Sequence, residues 1–81
     1  MLDRRKDART STHRRGLIKF GAAGQELACT VEDLTAVGAG LHVGTTFGLP
    51  MVFRLTIDGE PITRHCKVIW MDGKKLGVSF E

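Results

Sequence analysis

Residues 53–80, FRLTIDGEPITRHCKVIWMDGKKLGVSF, read as three β-strands and two turns. Phe53, Leu55 and Ile57 alternate with Arg54 and Thr56, the period of two that makes one face of a strand apolar. Asp58-Gly59 then signals a hairpin, since glycine tolerates the backbone angles that a tight reversal needs. The return strand is longer. Ile62, Arg64, Cys66, Val68 and Trp70 fall on one face, and Thr63, His65, Lys67 and Ile69 on the other. Asp72-Gly73 signals a second hairpin, after which Leu76, Val78 and Phe80 alternate with Gly77 and Ser79.

Upstream the same grammar repeats. Leu17-Ile18-Lys19-Phe20 reads as a strand ended by Gly21-Ala22-Ala23-Gly24, and Leu27, Cys29 and Val31 alternate with Ala28, Thr30 and Glu32. After a turn, Ala39, Leu41 and Val43 alternate with Gly40 and His42. Gly44–Pro50 is a loop in which the proline stops any helix. No window carries the 3.6-residue period of an amphipathic helix, and there is no internal repeat. The expected fold is all-β, a small six-stranded antiparallel β-barrel with a flexible basic N-terminal arm and no long helix. A meander this short is expected to close on itself, because closure removes exposed strand edges. Cys29, Val31, Leu41, Phe53, Leu55, Val68, Trp70, Leu76, Val78 and Phe80 are the expected core.

The chain is one domain of 81 residues, divided into an arm over residues 1–15 and a barrel over residues 16–81. Charge follows that division. The arm holds Arg4, Arg5, Lys6, Arg9, Arg14 and Arg15 against Asp3 and Asp7, a net +4, so that −1 remains on the body of a chain with net charge +3. A basic arm on a near-neutral body suits an anionic partner: phosphate, nucleic acid or a membrane surface. The apolar runs are too short to span a bilayer, and no apolar stretch follows Met1-Leu2-Asp3-Arg4-Arg5 as a signal peptide would require. Cys29 and Cys66 lack metal-ligand spacing and lie in apolar strand patterns, so buried free thiols and a cytoplasmic location are expected. No metal, cofactor or catalytic residue is expected. His13, His42 and His65 lie in the arm or on outward strand faces, away from any nucleophile they could activate.

Two short motifs remain. Arg5 and Arg9 are four apart in the arm, with Arg4 beside them. A guanidinium is a planar fork that binds phosphate through two hydrogen bonds and stacks on a base, which lysine does not do. Asp33-Leu34-Thr35-Ala36-Val37-Gly38 offers a carboxylate, a hydroxyl and a glycine. A carboxylate accepts from the paired N–H donors on the edge of guanine, Thr35 can bond phosphate or base, and Gly38 permits a positive φ and close backbone approach. Asp33 and Thr35 equally suit the capping of a turn between two strands.

Both motifs, in this order, resemble the pattern of the PilZ domain family of bacterial cyclic di-GMP receptors. That pattern is RxxxR in an N-terminal arm, a strand, then Asp or Asn-x-Ser-x-x-Gly. The ending Cys66-Lys67-Val68-Ile69-Trp70 and Leu76-Gly77-Val78-Ser79-Phe80 is similar as well. The resemblance implies a stand-alone, non-catalytic receptor that binds cyclic di-GMP on the outside of its barrel and relays the signal to an effector protein. It assigns the ligand to Arg4, Arg5, Arg9, Asp33, Thr35 and Gly38. Thr35 departs from the family's serine, and an arginine at the position of Arg4 implies ligand taken as an intercalated dimer. Neither membrane insertion nor a nucleic-acid partner is expected. The alternatives are a PilZ-like protein-interaction module with weak or no ligand binding, and a nucleic-acid-binding barrel with a basic arm.

Overall fold

The computed structural model describes residues 10–81, and they form six strands without a helix. These are β1 (Thr10–Phe20), β2 (Gln25–Leu34), β3 (Gly38–Val43), β4 (Val52–Ile57), β5 (Thr63–Asp72) and β6 (Lys75–Phe80). All neighbours are antiparallel, and the sheet closes as a barrel in the order β1-β2-β3-β6-β5-β4, with β4 returning to β1.

The barrel is not a plain meander. Strand β3 pairs with β6, and β4 pairs with β1 and β5. The short turns of the β1–β2, β2–β3 and β5–β6 hairpins force sequential strands to pair. The loop from Gly44 to Met51 is long enough to leave its strands free of each other, and it passes the barrel end beside the β1–β2 turn, where Leu49 packs against the core. The Asp58-Gly59 turn is realised with Gly59 at φ 92°, but the loop extends to Ile62 and contains Pro61.

Strand β1 starts at Thr10, so the division at residue 16 needs correction: residues 10–15 belong to the barrel. Their polar sequence hid this. Ser11 pairs with Asp33 and Arg14 with Val31, so β1 carries an extra residue there and its apolar alternation is broken. Arg14 is held by Glu60 at 3.5 Å, which ties β1 to the β4–β5 loop.

The core holds Ile18, Cys29, Val31, Ala39, Leu41, Val43, Phe53, Leu55, Ile57, Cys66, Val68, Leu76 and Val78. Eight of the ten expected core residues are among them; Phe80 only packs at the margin, and Trp70 is half exposed. Gly16 faces inward, where a β-carbon would stand 2.9 Å from Cys29 Sγ and 3.2 Å from Leu55 and Val31, so the core closes over a bare backbone. Both cysteines are free and buried. Burial pushes each thiol pKa up to about 11, with the neighbouring Cys66 adding to the effect at Cys29 and Glu81 adding to it at Cys66 against the lowering influence of Arg64.

Candidate functional site

Two bulges decide which side chains face solvent where β2 turns into β3. In β2, Val31 pairs with Leu41 but Asp33 with Gly40, so Glu32 is an extra residue. Val31 is fully buried, and strict alternation would bury Asp33 beside it. The extra residue reverses the alternation and brings the Asp33 carboxylate to the outer face. There it lies along Gly40, with Oδ2 3.3 Å from the place a β-carbon on that glycine would occupy.

Strand β5 repeats the device. Val68 pairs with Val78 but Trp70 with Gly77, so Ile69 is the extra residue. Val68 and Val78 point into the core, whereas Trp70, expected there, is turned outward and is 49% exposed. Its indole lies across Gly77, whose backbone it covers; a β-carbon at Gly77 would overlap the pyrrole edge of the ring.

The outer face thus carries one row across four strands: Asp33 on β2, Gly40 on β3, Gly77 on β6 and Trp70 on β5. Two adjacent glycines form a floor of bare backbone between a carboxylate and an indole. The groove above them has a volume of about 250 Å³, and Thr35, Val37, Ile69 and Ser79 complete its walls.

The Thr35–Gly38 turn shapes one end. The Thr35 hydroxyl accepts from the N–H of Val37 and of Gly38, both at 3.1 Å, and donates to the Gly38 carbonyl at 3.3 Å. The Thr35 N–H donates to the same carbonyl at 2.9 Å, and Phe80 N–H donates to the Val37 carbonyl at 2.7 Å. A hydroxyl has one proton and two lone pairs, and the turn engages all three. Gly38 is required for a different reason from the one expected. It is not among the glycines with positive φ, and a β-carbon there would run into the backbone carbonyl of Val78 on β6.

Of the residues the sequence singled out, the fold brings Asp33, Thr35 and Gly38 to this groove. Arg4, Arg5 and Arg9 lie outside the described residues. Thr10, the next residue after Arg9, pairs with Leu34, so the chain enters the barrel beside Asp33. Trp70, Gly40, Gly77 and Ile69 were missed as site residues. One signal was available for the Trp70–Gly77 pair. Counting outward from the Gly73-Lys74 turn pairs residue 72 with 75, 71 with 76 and 70 with 77, as observed. That register sets the tryptophan on the face of Gly77, opposite the face of Leu76 and Val78.

The groove's chemistry is specific. The carboxylate can only accept hydrogen bonds, and the remaining walls are apolar side chains, glycine backbone and the hydroxyl residues Thr35 and Ser79. Among the described residues, none lining it is basic. The groove therefore suits a flat, donor-bearing ring, and any phosphate on that ligand must be met by charge from elsewhere. Among the described residues no group of three or more His, Cys, Asp or Glu side chains is placed to hold a metal ion, and no helix is long and apolar enough to cross a membrane.

The described residues thus form a six-stranded closed barrel with a shallow, acceptor-bearing groove on its outer face. The model of the PilZ domain matches residues 3–81, and the chain belongs to that family. PilZ domains are, as a family, receptors for cyclic di-GMP and generally non-catalytic. Comparison with curated proteins finds no match.

Proposed function

We propose that this chain is itself a cyclic di-GMP receptor, with the ligand seated on the Asp33–Trp70 groove and clasped by Arg5 and Arg9. The supporting observation is the division of charge. Among the described residues the groove presents an acceptor, two hydroxyl residues and apolar walls but no cation, while the basic residues of the arm precede a strand that enters beside Asp33.

Asp33 reads the N1–H and N2–H₂ donors of a guanine, a pair that adenine does not offer. Arg9 directly precedes Thr10, and Arg5 lies five residues from it, so its backbone reaches at most about 18 Å. Three strand spacings of about 4.8 Å separate Asp33 from Trp70, so that tether spans the groove. Arg5 and Arg9 bind the phosphates bidentately. Arg4 stacks on a second guanine, and two ligands bind per chain as an intercalated dimer. Thr35 and Gly38 act by holding the turn that presents Asp33. Closure of the arm over the ligand makes a new surface, which an effector protein reads.

Calorimetric titration with cyclic di-GMP tests the assignment. The unmodified chain is expected to bind at two ligands per protomer, and Arg5→Ala, Arg9→Ala and Asp33→Ala are each expected to abolish or greatly weaken binding while the melting curve keeps its cooperativity. Unchanged affinity in both arginine variants refutes the site. One ligand per chain refutes the dimer alone.

A further inference from the structure

We propose that the outer face of β1, β4 and β5, on the wall of the barrel away from the Asp33 groove, is a docking surface for an acidic segment of a protein partner, with Arg54 at its centre. This face and its occupant are separate from the receptor function proposed above.

The strand register assembles this face. Lys19 on β1 pairs with Arg54 on β4, and Arg54 pairs with His65 on β5, so three basic side chains stand in one row across three strands. Lys67 follows His65 on the same outward side, opposite Val52. Phe53, Leu55, Cys66 and Val68, which alternate with them, are buried, and this fixes the basic set outward. Like charges directly opposite each other destabilise a sheet, so folding alone gives no reason for the row. Composition gives none either: residues 16–81 carry a net −1, yet three of their six lysines and arginines lie here.

Little of this charge is neutralised within the barrel. Elsewhere Arg64 is held by Glu60 and Lys75 by Glu32. Among the described residues no ion pair engages Arg54 or Lys67. Lys19 reaches Glu26 at 3.8 Å at one end of the row, and Glu81, whose N–H donates to the His65 carbonyl, stands at the other. The middle is left cationic. A groove of about 290 Å³ runs past Lys19, Arg54 and His65; Val52 lines it and Met51 precedes it, each 58% exposed. Three strands span about 10 Å, more than one phosphate group covers. Apolar side chains beside the cations suit a ligand that is itself part acidic and part apolar, which a protein segment with carboxylate and aliphatic side chains supplies. Strand β4 lies opposite β3 in the closed order, so a partner held here leaves the Asp33 groove uncovered.

Fluorescence anisotropy of a labelled peptide of Glu-Leu repeats, titrated with the full chain at low salt, tests the docking surface, and amide shifts in heteronuclear NMR read the contact face. The shifts are expected to centre on Lys19, Arg54, His65 and Lys67, and inorganic phosphate at the same charge concentration is expected to leave those amides unmoved. Arg54→Glu is expected to weaken peptide binding roughly 3- to 25-fold, since one exposed ion pair is worth up to about fivefold and reversal replaces attraction by repulsion. Lys74→Glu makes the same charge change in the β5–β6 turn and is expected to stay within about twofold of the parent, because salt screens charges that far from the contact. Arg54→Thr is expected to weaken binding several-fold while melting no lower than the parent, because a like-charge opposition is relieved. A structural role for Arg54 would lower the melting temperature instead, and the threonine variant decides the matter if Arg54→Glu fails to fold. Absence of peptide binding, shifts centred on another face, equal loss in Lys74→Glu, or Arg54→Thr binding like the parent overturns the docking surface. So does inorganic phosphate moving the same amides while the peptide does not, which would make the row a small-anion site.

Discussion

Replacing Thr35 by alanine and by serine separates a turn-holding hydroxyl from a ligand-binding one. In the folded chain this hydroxyl accepts from Val37 N–H and Gly38 N–H and donates to the Gly38 carbonyl. The three bonds are not equal. The Val37 N–H is exposed, so water replaces its partner at little cost. The Gly38 carbonyl keeps the Thr35 N–H at 2.9 Å and loses only a long contact of 3.3 Å. The Gly38 N–H is partly buried and is left without an acceptor, at a cost of about 1–2 kcal/mol. For a domain of this size that lowers Tm by roughly 4–15 °C. Thr35→Ser keeps every bond and is expected to melt within about 3 °C of the parent, as substitutions that break no such feature do. Thermal unfolding followed by circular dichroism reads both variants without ligand. Cyclic di-GMP affinity should follow the same order, with Thr35→Ser retaining it, because the turn presents Asp33. A Thr35→Ala chain that melts with the parent but loses ligand would refute this assignment and return the hydroxyl to the ligand.

Gly16→Ala should destabilise the barrel by about 1–3 kcal/mol, because its β-carbon meets Cys29, Leu55 and Val31 in a closed core; chemical denaturation checks this, and an unchanged midpoint would show that β1 can shift outward. The thiols impose a pH dependence. Both have folded-state pKa values of about 11 against an ordinary 9.0, so the folded state holds protons that the unfolded state has released. Their stabilising effect is complete below pH 9 and is lost as pH rises from 9 to 11, with a slope approaching roughly 2.7 kcal/mol per pH unit for two thiols. Urea denaturation at pH 8 and pH 10 measures it, and Cys29→Val should halve the slope. For the same reason a disulfide-exchange reagent at pH 8 should modify neither thiol until the barrel opens; rapid labelling of the native chain would contradict the burial.

Legibility in the sequence varied by element. Strands β3, β4 and β6 were read within a residue or two, since each alternates without interruption. The turn at Asp72-Gly73 was legible because Gly73 takes φ 63°, which few other residues tolerate. The first six residues of β1 were not, because their charge resembles that of the preceding arm and their pairing is irregular. The same cause misplaced Trp70. Alternation counted from Val68 sends it inward, and only the partner strand reveals that Ile69 is extra. Asp33, read as a candidate contact, lines the groove, but its position beside Trp70 was not visible from its own motif.

What the sequence determined by itself is the class of fold, the turns and the residue types a nucleotide would need, because those follow from periodicity and side-chain chemistry along one strand at a time. Which of these residues meet was decided by the tertiary structure. A bulge is a relation between two strands, two residues opposite one, and neither strand carries it alone. Closure in the order β1-β2-β3-β6-β5-β4 then set β6 between β3 and β5, which laid Gly40 beside Gly77 and made one groove of an aspartate and a tryptophan that stand far apart in the chain.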